Sequence, residues 1–375
     1  MRLITLTFLA LSTNIHAQGP PQPPNAPQSI HQNNTTTETG SLNNAAYRID
    51  IPDHWNHALV VYYHGYSMSK VTFDATKPIT PQAAPMLQRG YAVIQSGYSQ
   101  TNWAVPEAAA ETETLRKYFI QKHGQPKETI LAGSSMGGGL VRLTLEQNPQ
   151  PYLAGLDLCG SVLSAYESVQ RRFAARAAFD YFFPTLLPPL DSKTPFAPTD
   201  DLNAKILAAI TAKPDSAAAM RSITGLHTDA EVAAMILYFT YFIADLQHKA
   251  GGNPFDNRNY LYSGTATDYA LNDGVHRYPA DPAAQQWLVS RDAPTGRLTR
   301  PMLALHTLYD PVIPVTSLSL YSHQVEAAGF APNLVQQYVH RDGHCTFSPA
   351  EIGRAFDELI AWSHNGPRPT PGLLP

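Results

Sequence analysis

The sequence predicts an α/β protein, a mostly parallel sheet covered by helices on both faces. Apolar runs of strand length alternate with helix-period segments up to residue 160 and again from residue 301. Residues 129–141, TILAGSSMGGGLV, join a buried-strand pattern to a helix through a glycine-bounded serine. Residues 161–300 break the rhythm, so the sheet carries one large insertion. A chain of 375 residues with 43% hydrophobic side chains can bury a core of that size.

The chain opens on Met1-Arg2 and an apolar stretch at residues 3–11 that is too short to span a bilayer. That is the pattern of a secretory signal, with cleavage expected after Ala17. The mature protein is then periplasmic or secreted, where Cys159 and Cys345 either pair as a disulfide or stay as two thiols. Residues 18–44 are rich first in Pro and Gln, then in Asn and Thr, without an apolar period; they read as a disordered leader.

The core is expected over 45–160 and 301–365. Residues 47–51 alternate, 58–63 (ALVVYY) form a continuous apolar strand running into His64-Gly65-Tyr66, and 91–95 form another. Residues 106–122 read as a helix, acidic early and basic late as its dipole prefers. Strand 153–158 closes on Cys159-Gly160. After the break, 302–308 and 334–339 read as strands and 317–328 and 349–363 as helices, leaving 366–375 as a tail. The insertion 161–300 is expected to be a helical cap between strands six and seven. Its apolar run at 232–244 is short of the roughly 20 residues a membrane span needs.

Composition removes several classes of partner. A net charge of -4 with only 15% charged residues leaves no basic face for nucleic acid. No HExxH or close His cluster suggests a zinc site, and His306 on a core strand reads as a packed histidine. Neither metal nor cofactor is expected, and nothing fixes the oligomeric state.

The chemistry centres on Gly133-Ser134-Ser135-Met136-Gly137, a GxSxG placed between strand and helix, where a serine is presented on a sharp turn. A serine hydroxyl needs a base, and the base an acid to orient it. Asp310 follows strand 302–308 and His344 follows strand 334–339, both where the carboxyl edge of the sheet should lie. Asp310 is preferred over Asp273, which lies in the insertion, and over Asp342, too close in sequence to His344. The backbone N–H groups of Met136 and Tyr66 are the expected oxyanion donors, and His64 is expected to brace the Gly65 loop. His64, Gly65, Tyr98 and Trp103 are the candidate substrate contacts, with Phe179, Tyr181, Phe182, Tyr238 and Phe242 added from the insertion.

On these motifs the chain resembles the α/β-hydrolase superfamily from about residue 47 to 363, apart from the insertion. The resemblance implies a serine hydrolase, most often a carboxylesterase, acting through Ser135, His344 and Asp310. Part of the tail is similar to secreted tannase and feruloyl esterase enzymes, in which a Cys beside the catalytic His is bridged to one beside the nucleophile. Cys345 matches the first position, while Ser134 stands at the second; a bridge from Cys159 to Cys345 would pin the His344 loop instead. Aromatic residues with few charges favour a neutral or aromatic, plant-derived ester as the small-molecule substrate. The alternatives are a peptidase resembling the prolyl oligopeptidase group and a non-catalytic binding module on the same scaffold.

Overall fold

The fold is described here by a computed structural model covering residues 27–192, 196 and 199–375. The expected signal peptide lies outside the described residues. The strands are β1 Gln28–Gln32, β2 Thr35–Leu42, β3 Ala45–Pro52, β4 Leu59–Tyr63, β5 Ala92–Ser96, β6 Thr129–Ser134, β7 Ala154–Leu158, β8 Met302–Tyr309, β9 Leu334–Asp342 and β10 Gly372–Leu373. They form one sheet in the order β1-β2-β3-β5-β4-β6-β7-β8-β9-β10, antiparallel as far as β5 and parallel from there on.

The continuous apolar runs follow from burial on both faces of the sheet. In β4, Leu59, Val61 and Tyr63 enter one core, while Val60 and Tyr62 enter the other. The first core is closed by helices α2 (Val105–His123) and α3 (Met136–Gln147), together with α10 (Thr316–Ala327). The second is closed by α1 (Ala84–Leu87) and α11 (Pro349–Ser363). Strand β5 lies on one side of β4 and β6 on the other, both parallel to it, so the direction of winding across the sheet reverses at β4. Ligands in open α/β sheets bind at such a switch, beyond the carboxyl ends of the strands.

Two expectations need correction. Residues 28–42 are not a disordered leader: they form an antiparallel hairpin. Asn33-Asn34 and Asn43-Asn44 all have positive φ (49°, 57°, 49° and 68°), the conformation a two-residue hairpin turn requires. The Thr-rich run between them supplies β-branched strand residues. Glu38 ties the hairpin to α2, accepting hydrogen bonds from Tyr47, Tyr118 and Lys122. The insertion falls between β7 and β8 rather than between strands six and seven: five of the strands read from the sequence precede it, and the hairpin adds two. The tail also contributes, with β10 beside β9.

Within the insertion, the described residues form α4 (Ala165–Phe182), α5 (Leu202–Thr211), α6 (Pro214–Thr224), α7 (Asp229–Ala250), α8 (Asp268–Gly274) and α9 (Pro282–Asp292). Capping boxes start the two long ones, Ser164 with Glu167 and Thr228 with Glu231, and Gly251 in the left-handed region ends α7. Their apolar faces run into the α2–α3 core. Among the described residues no helix is long and apolar enough to cross a membrane.

Candidate active site

Ser135 sits between β6 and α3 at φ 58° and ψ -122°, a strained conformation for a residue with a side chain. The flanking glycines make it possible. A Cβ on Gly133 would meet the carbonyl oxygen of Gly137, and one on Gly137 would meet that of Tyr63. The turn is anchored by the Ser135 N–H donating to the Leu158 carbonyl (3.0 Å). Ser134, beside it, shares a hydrogen bond with the Tyr62 hydroxyl (3.0 Å), which is what the residue in the place of a cysteine does here.

The structure brings the three distant polar residues together. His344 Nδ1 lies 2.7 Å from Asp310 Oδ2, and His344 Nε2 lies 2.8 Å from Ser135 Oγ. An ionised carboxylate only accepts, so the imidazole proton is on Nδ1 and the serine hydroxyl donates to Nε2. Asp310 is buried at 4% exposure. Burial pushes its carboxyl up, but the hydrogen bond and charge of His344 and the N–H groups of Ile313 and Val312 hold it below its ordinary value. His306, fully buried, donates from Nδ1 to the Thr307 carbonyl (2.8 Å) and turns Nε2 toward Asp310 at 3.9 Å.

Cys159 and Cys345 form a disulfide, which fastens the residue after His344 to the end of β7 beside the serine turn. Cys159, His344 and Cys345 bring ligand-type atoms together, but the two sulfurs share a bond and offer no thiolates to a metal.

The Gly65 loop lies against the serine, where a Cβ on Gly65 would stand 3.2 Å from that of Ser135. Among the described residues the N–H groups of Met136 and Tyr66 donate to no protein acceptor. His64 braces this loop: its Nδ1 donates to the Gly65 carbonyl (2.6 Å), and its ring stacks on Tyr98 at 3.9 Å. Burial lowers its pKa to about 4, against the opposing carbonyl bonds, so it is neutral.

A cavity of about 890 Å³ opens over Ser135, bordered by Tyr66, Trp103, Met136 and Asp310 and, from α7, by Tyr238 and Phe242. His64, Gly65 and Tyr98 do not border it. Their expected substrate contact is therefore corrected. Tyr98 turns inward and donates to the His64 carbonyl (3.2 Å), while Gly65 faces the serine. Phe179, Tyr181 and Phe182 pack away from the cavity as well. The residues missed in the sequence are Arg171 and Arg172 of α4, which both border it. A signal was present: Arg172 is three positions after Val169 and next to Phe173, on the apolar face of its helix.

A family described as tannase-like and of unknown function (DUF6351) matches residues 33–162, which include Ser135 but neither Asp310 nor His344. No curated protein matches the chain. Among solved structures, feruloyl esterase B from Aspergillus oryzae is similar at 11% identity and a TM-score of 0.53, over 89% of this chain and 81% of that one. The esterase Pf2001 of Pyrococcus furiosus is 10% identical with a TM-score of 0.45, over 90% of each chain. An acylaminoacyl peptidase of Pyrococcus horikoshii is 12% identical with a TM-score of 0.45, over 91% of this chain and 41% of that one. The chain has the α/β-hydrolase fold.

Proposed function

We propose that the chain is a serine hydrolase of carboxylic esters, with Ser135 as nucleophile, His344 as general base and Asp310 as its orienting acid. The observation that carries the proposal is the pair of hydrogen bonds on His344, 2.8 Å to Ser135 and 2.7 Å to Asp310, at a serine held in a strained turn. In the reaction, Ser135 Oγ bonds the ester carbonyl carbon as its proton passes to His344 Nε2. The oxyanion accepts from Met136 and Tyr66 N–H, and His344 then protonates the departing alcohol. Water, deprotonated by the same imidazole, releases the acid from Ser135.

The inserted segment 161–300 serves as the cap whose aromatic residues shape the cavity. The tannase-like description of the matching family and the feruloyl esterase neighbour support an ester as substrate. The apolar residues at 3–11 and the disulfide support export to an oxidising compartment.

The test sets aryl esters against aminoacyl anilides on the purified protein. Ester turnover with little anilide turnover is expected; the reverse makes the protein a peptidase.

A further inference from the structure

Five arginine side chains are buried among the described residues: Arg48, Arg116, Arg142, Arg172 and Arg176. A buried guanidinium loses its hydration and needs a compensating anion. Four have one. Arg48 pairs with Asp50 (2.7 Å), Arg116 with Glu113 (2.7 Å), Arg142 with Glu146 (3.5 Å) and Arg176 with Asp180.

Arg172, 6% exposed, pairs with no carboxylate among the described residues. Its Nη2 makes two long hydrogen bonds, to the carbonyl oxygens of Pro311 (3.3 Å) and Val312 (3.4 Å). The guanidinium lies 5.1 Å from the centre of the Phe239 ring. Among the described residues Nε and Nη1 have no protein acceptor, neither atom is fully buried, and the side chain borders the cavity. Burial and the neighbouring Arg171 lower its pKa to about 10, with Asp310 opposing, which leaves it a cation at neutral pH. Asp310 is already committed to His344. Glu167 and Asp292 also border the cavity but serve the start of α4, through Ser164 and the Ala165 N–H.

We propose that Arg172 binds a free carboxylate of the substrate, so that the preferred ester is an aromatic one carrying a carboxylate away from the scissile bond. The proposal rests on the ester-hydrolase reading and replaces the neutral substrate that composition suggested. Phe239, Tyr238 and Phe242 supply the apolar wall beside the cation. A planar guanidinium with unused N–H groups suits a carboxylate better than any neutral acceptor.

The test uses two isosteric pairs, one with the charge on each half of the ester. These are 4-acetoxybenzoate against 4-acetoxybenzamide, and the mono-4-nitrophenyl ester of adipic acid with its other carboxyl free against the same compound amidated. Wild type should favour the carboxylate in at least one pair by about ten-fold or more in kcat/KM, mainly through KM, and Arg172→Gln should bring that ratio near one. A role confined to holding Pro311 and Val312 lowers both members alike and leaves the ratio unchanged, which overturns the proposal. Equal turnover within both pairs by wild type also overturns it while leaving ester hydrolysis intact. A second measurement needs no turnover: calorimetric binding of benzoate and benzamide to Ser135→Ala protein. Tighter benzoate binding that is lost with Arg172→Gln upholds the anion site even if no ester is cleaved, in which case the ester reading alone fails. Benzoate binding that is indifferent to Arg172→Gln refutes the site.

Discussion

Cys345 is bonded to Cys159 across 186 residues of chain, with Cα atoms 5.4 Å apart, and this bond fixes the residue that follows His344 to the strand end beside Ser135. The bridge therefore acts on both stability and the position of the base. Replacing both cysteines by serine should cost about 2–4 kcal/mol, read as a lower midpoint in denaturant unfolding. It should also lower kcat about ten- to a hundred-fold as the imidazole loses its placement. Reduced wild type should behave the same way.

Asp310 fixes the tautomer of His344 and stabilises its protonated form. Asp310→Asn keeps the size of the side chain and removes the charge. Steady-state kinetics should show kcat lower by about 10⁴-fold with KM little changed. A loss of less than about ten-fold would mean that another group orients the imidazole.

Asp157 gives stability a pH dependence of predictable sign. Burial raises its carboxyl from 3.8 to about 7, against the Gly160 N–H and Arg142, so the folded chain favours the protonated form. Below about pH 4 the group imposes no penalty. As pH climbs toward about 7 the unfolded chain ionises first and stability falls; above that the penalty is constant. Asp157→Asn stays neutral, so its gain in melting temperature over wild type should be larger at pH 8 than at pH 4.5.

Gly137 has no room for a side chain, since a Cβ would meet the carbonyl oxygen of Tyr63 and approach that of His64 at 2.9 Å. Both neighbours are backbone and cannot swing aside. Gly137→Ala should destabilise the protein by at least about 2 kcal/mol in thermal or denaturant unfolding and reduce activity through displacement of Ser135.

Much of this site was legible in the sequence because its parts sit at element boundaries. Gly133 and Gly137 mark the turn at Ser135, and Asp310 and His344 each follow an apolar strand, so chain order alone places them on one edge of the sheet. What escaped notice depended on pairing across the chain. The β1–β2 hairpin looked disordered because its residues are polar, whereas its signal was two Asn pairs able to adopt positive φ. Arg172 drew no notice in the sequence, because whether a buried cation has an acidic partner depends on helices distant in sequence. Tyr98 follows a strand, as a cavity residue should, yet its φ of 53° turns it under the loop to stack on His64.

Intact-mass and peptide analysis after reaction with a fluorophosphonate tests whether Ser135 is the nucleophile served by the His344–Asp310 pair. One adduct per chain is expected, on Ser135, with loss of aryl-ester turnover in step with labelling, and neither labelling nor turnover in Ser135→Ala. An adduct on another residue, or ester turnover that survives Ser135→Ala, would contradict that role.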